Sequence, residues 1–183
     1  MSHLGRGMQP AAPTSPILRQ VEAMTPSAIA LGSNLGDSYQ ILQAAFDVLA
    51  QTPHVSLVAR SSIYQTAAVG PPQPDYLNAC AILETSLAPE ALLSTLLMIE
   101  AQFGRVRRER WGPRLLDLDL LLFGDRCLQT PTLQIPHPRM GDRAFVLVPL
   151  AEIAGHWIDP TTGQAIAHLV QQCDCSGIQR WEG

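Results

Sequence analysis

The sequence contains no lysine, and all twelve of its basic residues are arginine. This absence excludes a Walker A phosphate-binding loop, a pyridoxal Schiff base and a lysine nucleophile, because each of these sites requires a lysine amine. No apolar run reaches the roughly 18 residues needed to span a bilayer. The four cysteines are too few and too scattered for a disulfide framework. We therefore expect a soluble, cytoplasmic protein without a membrane partner.

The domain organisation follows from length and composition. The chain has 183 residues, of which 46% are hydrophobic, and this suffices for one sizeable core. Residues 1–27 are rich in proline, serine, glycine and alanine and show no periodicity, which predicts a disordered tail. Residues 28–183 are predicted to form a single domain, and we expect it to act as a monomer.

Hydrophobic periodicity predicts four strands and two helices in the first two thirds of the chain. Their order, β-α-β-β-α-β, is that of the ferredoxin-like α+β fold, in which an antiparallel sheet carries both helices on one face. The other face of the sheet is then open, and a C-terminal extension with two short helices follows. The strands are predicted at residues 27–33, 55–66, 76–86 and 115–123, the core helices after Asp37 and after Pro89, and the later helices near 145–153 and 165–172.

Strand alternation predicts which side chains lie on the open face. The third and fourth strands each have an apolar row that suits the face covered by the helices. The open face then carries Tyr76 and Asn78 from the third strand and Asp117 and Asp119 from the fourth, and we predict the functional site there. The apolar rows are Leu77, Ala79, Ala81 and Leu83 in the third strand and Leu118, Leu120 and Leu122 in the fourth.

Residues 105–114 concentrate positive charge beside this predicted site. They contain five arginines and one glutamate, a net charge of +4 within a chain of net charge −4. Directly after them, Asp117 and Asp119 project from one strand face with about 6.6 Å between their backbone positions. Such a pair suits Mg²⁺ bound together with a triphosphate, and arginine forks bind phosphate oxygens in a bidentate manner. The stretch therefore predicts a nucleotide-phosphate site suited to phosphoryl transfer.

The segment RWGPRLLDLDL, residues 110–120, closely resembles the signature of the 6-hydroxymethyl-7,8-dihydropterin pyrophosphokinases of folate biosynthesis. Similarity continues through ALGSNLGD, YQTAAVG, PDYLNA, IEAQFGRVR, IPHPRM and DRAFVLVPL, and it runs from about Ala28 to Ile153. The resemblance implies a ferredoxin-like α+β fold. It also implies an ATP- and magnesium-dependent enzyme that transfers the pyrophosphoryl group of ATP to the hydroxymethyl group of the dihydropterin and releases AMP.

The same resemblance implies a role for each residue at a matching position. Asp117 and Asp119 would hold two Mg²⁺ ions with ATP, and Arg105 and Arg114 would be the catalytic arginines. The residues at ATP-binding positions are Glu100, Arg107, Arg110, Trp111, Leu120, His137 and Arg143. The residues at pterin-binding positions are Thr66, Val69, Tyr76, Asn78, Trp111 and Phe145, with Tyr76 and Phe145 on the two sides of the ring.

Two functions of other classes stay open at this point. A ferredoxin-like RNA-binding module would use the arginine stretch, but the negative net charge and the absence of an RRM-type aromatic motif disfavour it. A pterin-binding protein without turnover would keep the pocket and release no AMP. We expect ATP and the dihydropterin as partners and no nucleic acid.

Overall fold

The structure is a computed structural model that describes residues 23–68, 72–104 and 114–183. These residues contain eight strands, which form one six-stranded sheet and one two-stranded ribbon. The strands are β1 (Thr25–Ser33), β2 (Val55–Arg60), β3 (Tyr64–Thr66), β4 (Tyr76–Thr85), β5 (Asp117–Phe123), β6 (Leu128–Gln129), β7 (Gln134–Ile135) and β8 (Ile178–Arg180).

The six-stranded sheet has the order β5-β1-β4-β3-β8, and β2 pairs with the other end of β4. All its pairings are antiparallel, and the core elements follow one another as predicted, so the α+β class is confirmed. The predicted second strand is divided into β2 and β3. The first strand begins at Thr25, two residues before the predicted start at residue 27. Residues 1–22 of the predicted tail lie outside the described residues.

Four helices occur in the described part of the chain, and their ends follow from local chemistry. The side chain of Asp37 accepts a hydrogen bond from Gln40 N at 3.1 Å and so caps the first helix. Pro89 opens the second helix, and Gly104 follows it with a φ of 80° that suits glycine. None of these helices has the length and apolar character to span a membrane. They are α1 (Ser38–Gln51), α2 (Pro89–Gln102), α3 (Ala144–Ala154) and α4 (Ile166–Gln172).

The sheet is covered on both faces, which corrects the expectation that one face is open. Helices α1 and α2 pack on the predicted face, where the apolar rows of β1 and β4 form the first core. Helices α3 and α4 cover part of the other face and form a second core with Cys80, Ile82 and Leu122. The reason is that α3 is itself strongly apolar, with Leu147 and Leu150 fully buried, and must bury that surface against a sheet.

A β-bulge in β5 changes the predicted alternation. Ile29 pairs with Leu120 and Ala28 pairs with Leu122, so Leu121 is an extra residue in β5. Beyond the bulge the side chains change faces, and Leu122 lies in the second core instead of the row with Leu120. The prediction for Leu122 was therefore wrong. The aspartates precede the bulge, so their predicted face is unaffected.

Candidate active site

A cavity of about 420 Å³ opens where α3 leaves the second face of the sheet uncovered. Strands β1, β4 and β5, the end of β3 and the start of α3 all contribute to its wall. It brings together the predicted metal ligands, Arg114 and every described residue predicted to bind the pterin. Its lining residues are Ala30, Leu31, Gly32, Thr66, Ala67, Tyr76, Asn78, Arg114, Asp117, Asp119, Arg139, Arg143, Phe145 and Val146.

One end of the cavity, at β5, is charged and contains two ion pairs. Arg114 Nη1 lies 2.7 Å from Asp117 Oδ2, and Arg143 Nη1 lies 3.3 Å from Asp119 Oδ2. The two carboxylates remain 25% and 33% exposed, so a ligand in the cavity can reach them. Each carboxylate is paired with one guanidinium group in the cavity wall. This end of the cavity can therefore bind a metal ion and an anion next to each other.

His137 is held beside this charged end by the bulge in β5. The extra residue Leu121 has a carbonyl that accepts a hydrogen bond from His137 N at 2.9 Å. The ring Nδ1 accepts a hydrogen bond from Arg139 N at 3.2 Å, so the proton of a neutral ring lies on Nε2, which is 3.9 Å from Asp119 Oδ2. Burial lowers the pKa of His137, against the opposing effect of Asp119. The imidazole thus offers a neutral N–H donor near neutral pH.

The other end of the cavity is aromatic and carries an amide. Tyr76 and Phe145 both line it, and the guanidinium carbon of Arg143 lies 5.6 Å from the centre of the Phe145 ring. Asn78 Nδ2 donates a hydrogen bond to Thr66 Oγ1 at 2.9 Å, which orients the amide in the wall. Burial raises the pKa of Tyr76, so its hydroxyl stays neutral. An apolar slot with a few oriented polar groups suits a flat heterocycle.

The sequence analysis missed several residues that line the cavity, and among the polar side chains at or beside the site it missed Asn34 and Arg139. Arg139 lines the cavity but lies outside the arginine-rich stretch of residues 105–114. Asn34 is buried, and its Oδ1 accepts a hydrogen bond from Arg114 N at 2.8 Å. Its Nδ2 donates to Gln73 Oε1 at 3.0 Å and to Pro74 O at 3.1 Å. Asn34 thus joins Arg114 to the loop before β4; its only sequence signal is an asparagine between a strand and a helix cap.

Replacing Asn34 with alanine is expected to lower the free energy of unfolding by about 1–3 kcal/mol, because Arg114 N and Pro74 O lose buried partners. We also expect kcat/KM to fall by about tenfold, since Arg114 loses its backbone anchor. Urea unfolding and steady-state kinetics measure the two effects. Asn34→Asp keeps the acceptor for Arg114 N but cannot donate, so it should keep more activity. Wild-type stability and kinetics in Asn34→Ala would contradict this role.

Several predicted site residues do not line this cavity. Glu100 is buried behind β5, where its Oε1 accepts a hydrogen bond from Leu118 N at 2.6 Å. The side chain of Leu120 lies in the first core, and only its backbone is available from β5. Their ATP-binding roles stay predictions. Five further predicted residues lie outside the described residues, namely Val69, Arg105, Arg107, Arg110 and Trp111.

The aspartate pair has the chemistry to hold a magnesium ion bound together with a substrate. Both carboxylates line one cavity, and oxygen ligands of this kind are the ones Mg²⁺ prefers. In the described ranges, no group of three or more histidine, cysteine or acidic side chains is arranged to hold a metal ion. Two carboxylates therefore need phosphate oxygens and water to complete a magnesium shell, as is usual for nucleotide-bound magnesium.

Comparison with known proteins identifies the family. Residues 28–155 match the model of the 7,8-dihydro-6-hydroxymethylpterin-pyrophosphokinase (HPPK) family. The 2-amino-4-hydroxy-6-hydroxymethyldihydropteridine pyrophosphokinase of Synechocystis sp. is 51% identical over 152 residues, which are 83% of this chain and 78% of the relative. The enzyme of the same name from Pseudomonas aeruginosa is 46% identical over 156 residues, 85% of this chain and 96% of the relative. The chain belongs to the HPPK family.

The chain is therefore a pyrophosphokinase with HPPK activity in folate biosynthesis, as its sequence resemblance implied. Solved structures agree on the fold. The crystal structure of Plasmodium falciparum HPPK-DHPS with pterin and p-hydroxybenzoate matches with a TM-score of 0.66 at 13% identity. That match covers 85% of this chain and 44% of the longer Plasmodium chain. The region matched to the HPPK family includes every residue that lines the cavity.

Proposed function

We propose that this HPPK transfers the pyrophosphoryl group of ATP to the hydroxymethyl group of 6-hydroxymethyl-7,8-dihydropterin and releases AMP. The observation that carries the proposal is that one cavity is lined by two carboxylates on β5 and, on the other side of β1, by an aromatic ring and an amide on β4. A pterin ring bound on the β4 side would present its hydroxymethyl group to phosphates bound on the β5 side. We further propose that the enzyme acts as a monomer in the cytoplasm.

The pterin ring is proposed to bind between Tyr76 and Phe145. Stacking on two aromatic rings stabilises a flat heterocycle, and each such contact adds about 0.5–1.5 kcal/mol beyond the area that it buries. Asn78 is proposed to hydrogen-bond the amide edge of the ring, because an amide both donates and accepts. Thr66 orients Asn78 through their hydrogen bond and offers backbone groups at the same edge. We assign Val69 and Trp111 to the pterin on the family resemblance.

The triphosphate is proposed to bind at the charged end. Asp117 and Asp119 would hold two Mg²⁺ ions together with ATP. Bound magnesium would neutralise the phosphate oxygens and favour attack at phosphorus. Arg114 and Arg143 turn from the carboxylates towards phosphate oxygens, because a fork-shaped guanidinium binds either anion in the same way.

The remaining ATP contacts and the second catalytic arginine are proposed from the resemblance. His137 offers its Nε2 proton to the nucleotide from beside Asp119. Arg105 shares with Arg114 the stabilisation of the charge that develops on the phosphates. The other residues proposed to contact ATP are Glu100, Arg107, Arg110, Trp111 and Leu120.

In the proposed reaction, the hydroxyl oxygen of the pterin attacks the β-phosphorus of ATP in line with the bond to the α-phosphate. A new oxygen–phosphorus bond forms, the bond between the β-phosphorus and its bridge to the α-phosphate breaks, and AMP leaves. The hydroxyl proton passes to solvent, so no side chain is assigned as a general base. Arg114 lines the cavity, which supports its proposed role in stabilising the charge that develops on the transferred group.

Product analysis tests the proposed function. The purified chain is incubated with ATP, Mg²⁺ and 6-hydroxymethyl-7,8-dihydropterin, and the nucleotide products are separated. We expect AMP and the pterin pyrophosphate in equal amounts. ADP would indicate ordinary kinase chemistry, and the absence of any nucleotide product would indicate a binding protein. Either result would reject the proposal.

Gly32→Ala is expected to raise the KM for the pterin by about tenfold and to leave the KM for ATP within about twofold. Gly32 lines the cavity beside the pterin-binding residues, and an added Cβ would lie 3.3 Å from Asn78 Oδ1. The methyl group would therefore crowd the amide and narrow the slot. Steady-state kinetics with each substrate varied in turn measures the effect, with Gly141→Ala as the control because a Cβ there meets nothing within 4 Å. Equal changes in both KM values would argue against this placement of the pterin.

A further inference from the structure

Residues 61–63 interrupt the strand that borders β4, and this break has to be stabilised. Strands β2 and β3 both pair with β4, but the segment between them leaves the ladder. Ser61 keeps its place because its N donates to Cys80 O at 2.9 Å and its Oγ accepts from Cys80 N at 2.9 Å. The next backbone amide, Ser62 N, turns away from β4. A backbone donor outside a ladder needs another acceptor.

Glu152, on α3, supplies that acceptor from the other side of the break. Its Oε2 lies 3.0 Å from Ser62 N, and its Oε1 accepts from Ser62 Oγ at 2.8 Å. Tyr64 OH, in β3, donates to Oε2 at 3.0 Å. Burial and this bond raise the pKa of Tyr64, so the hydroxyl keeps its proton. One carboxylate therefore binds three donors from a segment about 90 residues earlier in the chain.

The two elements that Glu152 joins both carry walls of the pterin slot. Phe145 and Glu152 are seven residues apart on α3, about two turns, so they project from the same side of the helix. β3, the other element, ends at Thr66, whose Oγ1 accepts the hydrogen bond that orients Asn78. β3 has only three residues, and its partners along them are the end of β4 and the equally short β8. A charge-assisted contact from α3 is therefore well placed to set its position.

We propose that Glu152 is a positioning residue that sets the width of the pterin slot by holding β3, with Thr66, against α3, with Phe145. This inference rests on the proposed function, because it assigns the slot to the pterin. Glu152 itself does not line the cavity and touches no substrate. A purely structural contact would affect stability alone. A positioning residue also changes the affinity for one substrate.

The test compares Glu152→Ala, Glu152→Gln and Tyr64→Phe with the wild type in the AMP assay. We expect Glu152→Ala to raise the KM for the pterin by about fivefold to tenfold and to leave the KM for ATP within about twofold. Glu152→Gln keeps an oxygen for Ser62 N, and Tyr64→Phe removes one donor, so each should raise the KM for the pterin by about twofold to threefold. Glu84→Ala is the control because Glu84 is exposed near the far end of β4.

The outcomes separate this proposal from the proposed function. Production of AMP by the wild type upholds the function whatever the variants do. An unchanged KM for the pterin in folded Glu152→Ala, or an equal rise in both KM values, overturns the role of Glu152. If circular dichroism shows that Glu152→Ala does not fold, the other two variants decide. A wild-type KM for the pterin in both of them overturns the proposal, and a selective rise in both supports it.

Discussion

Asp119→Ala is expected to lower kcat by about 10³-fold or more, the upper end of the loss for a single preorganised electrostatic group. Asp119 is one of two carboxylates proposed to hold magnesium, and its Oδ2 is also the partner of Arg143. The side chain is 33% exposed in the cavity wall, so its removal should not disturb the core. AMP release at saturating ATP, Mg²⁺ and pterin measures the loss. Circular dichroism and thermal unfolding establish that the variant is folded.

Two further variants make this experiment specific. Asp119→Asn keeps the shape of the side chain and removes its charge, so we expect a loss nearly as large if the charge matters. Asp125→Ala removes an exposed aspartate just after the same strand and should leave kcat unchanged. Near-normal turnover by purified, folded Asp119→Ala would exclude the proposed magnesium site. A loss that excess Mg²⁺ partly reverses would support it.

Arg114→Ala is expected to lower kcat by about 10²-fold to 10³-fold and to raise the KM for ATP by less than about tenfold. The guanidinium lies in the cavity wall, 2.7 Å from a carboxylate proposed to bind magnesium. From this position the guanidinium can stabilise the negative charge on the transferred group. We expect that charge to be greater in the transition state than in bound ATP. Steady-state kinetics with ATP as the varied substrate separates the effect on kcat from that on KM.

Arg114→Lys shows whether the charge or the shape of the arginine side chain is responsible for its effect on kcat. Lysine restores the positive charge without the bidentate fork, so we expect it to recover a minor part of the lost activity. Arg126→Ala removes an arginine in the turn after β5, outside the cavity, and should keep normal kcat. A raised KM for ATP with an unchanged kcat in Arg114→Ala would mean that Arg114 only binds the nucleotide.

Much of the fold could be predicted because apolar residues recur at regular intervals in its core helices and strands. In β4, Leu77, Ala79, Ala81 and Leu83 all lie in the first core, as alternation predicted. The same reasoning failed in β5 beyond Leu121, because the bulge inserts one residue and reverses the side-chain faces. Nothing in a run of consecutive leucines marks where such an insertion occurs.

The candidate site, like the fold, could be predicted only in part. The aspartate pair and Tyr76 with Asn78 were predicted to share a face because each pair lies two residues apart on one strand, and all four line the cavity. Asn34 was not predicted. Its bond to Arg114 N joins residues 80 positions apart, and an asparagine after a strand is common in loops without any such partner.

The pattern of residues along the chain was enough to establish the α+β core, the carboxylate pair and the pyrophosphokinase family. Local hydrophobic periods and a long, specific motif can be recognised without knowing which distant segments are in contact. The shape of the cavity could be learned only from the folded structure. It forms where α3 covers only part of the second sheet face, and beside it the contacts of Asn34, His137 and Glu152 join segments far apart in sequence. Such contacts form only when packing brings those segments together, and their strength depends on a geometry that no single segment contains.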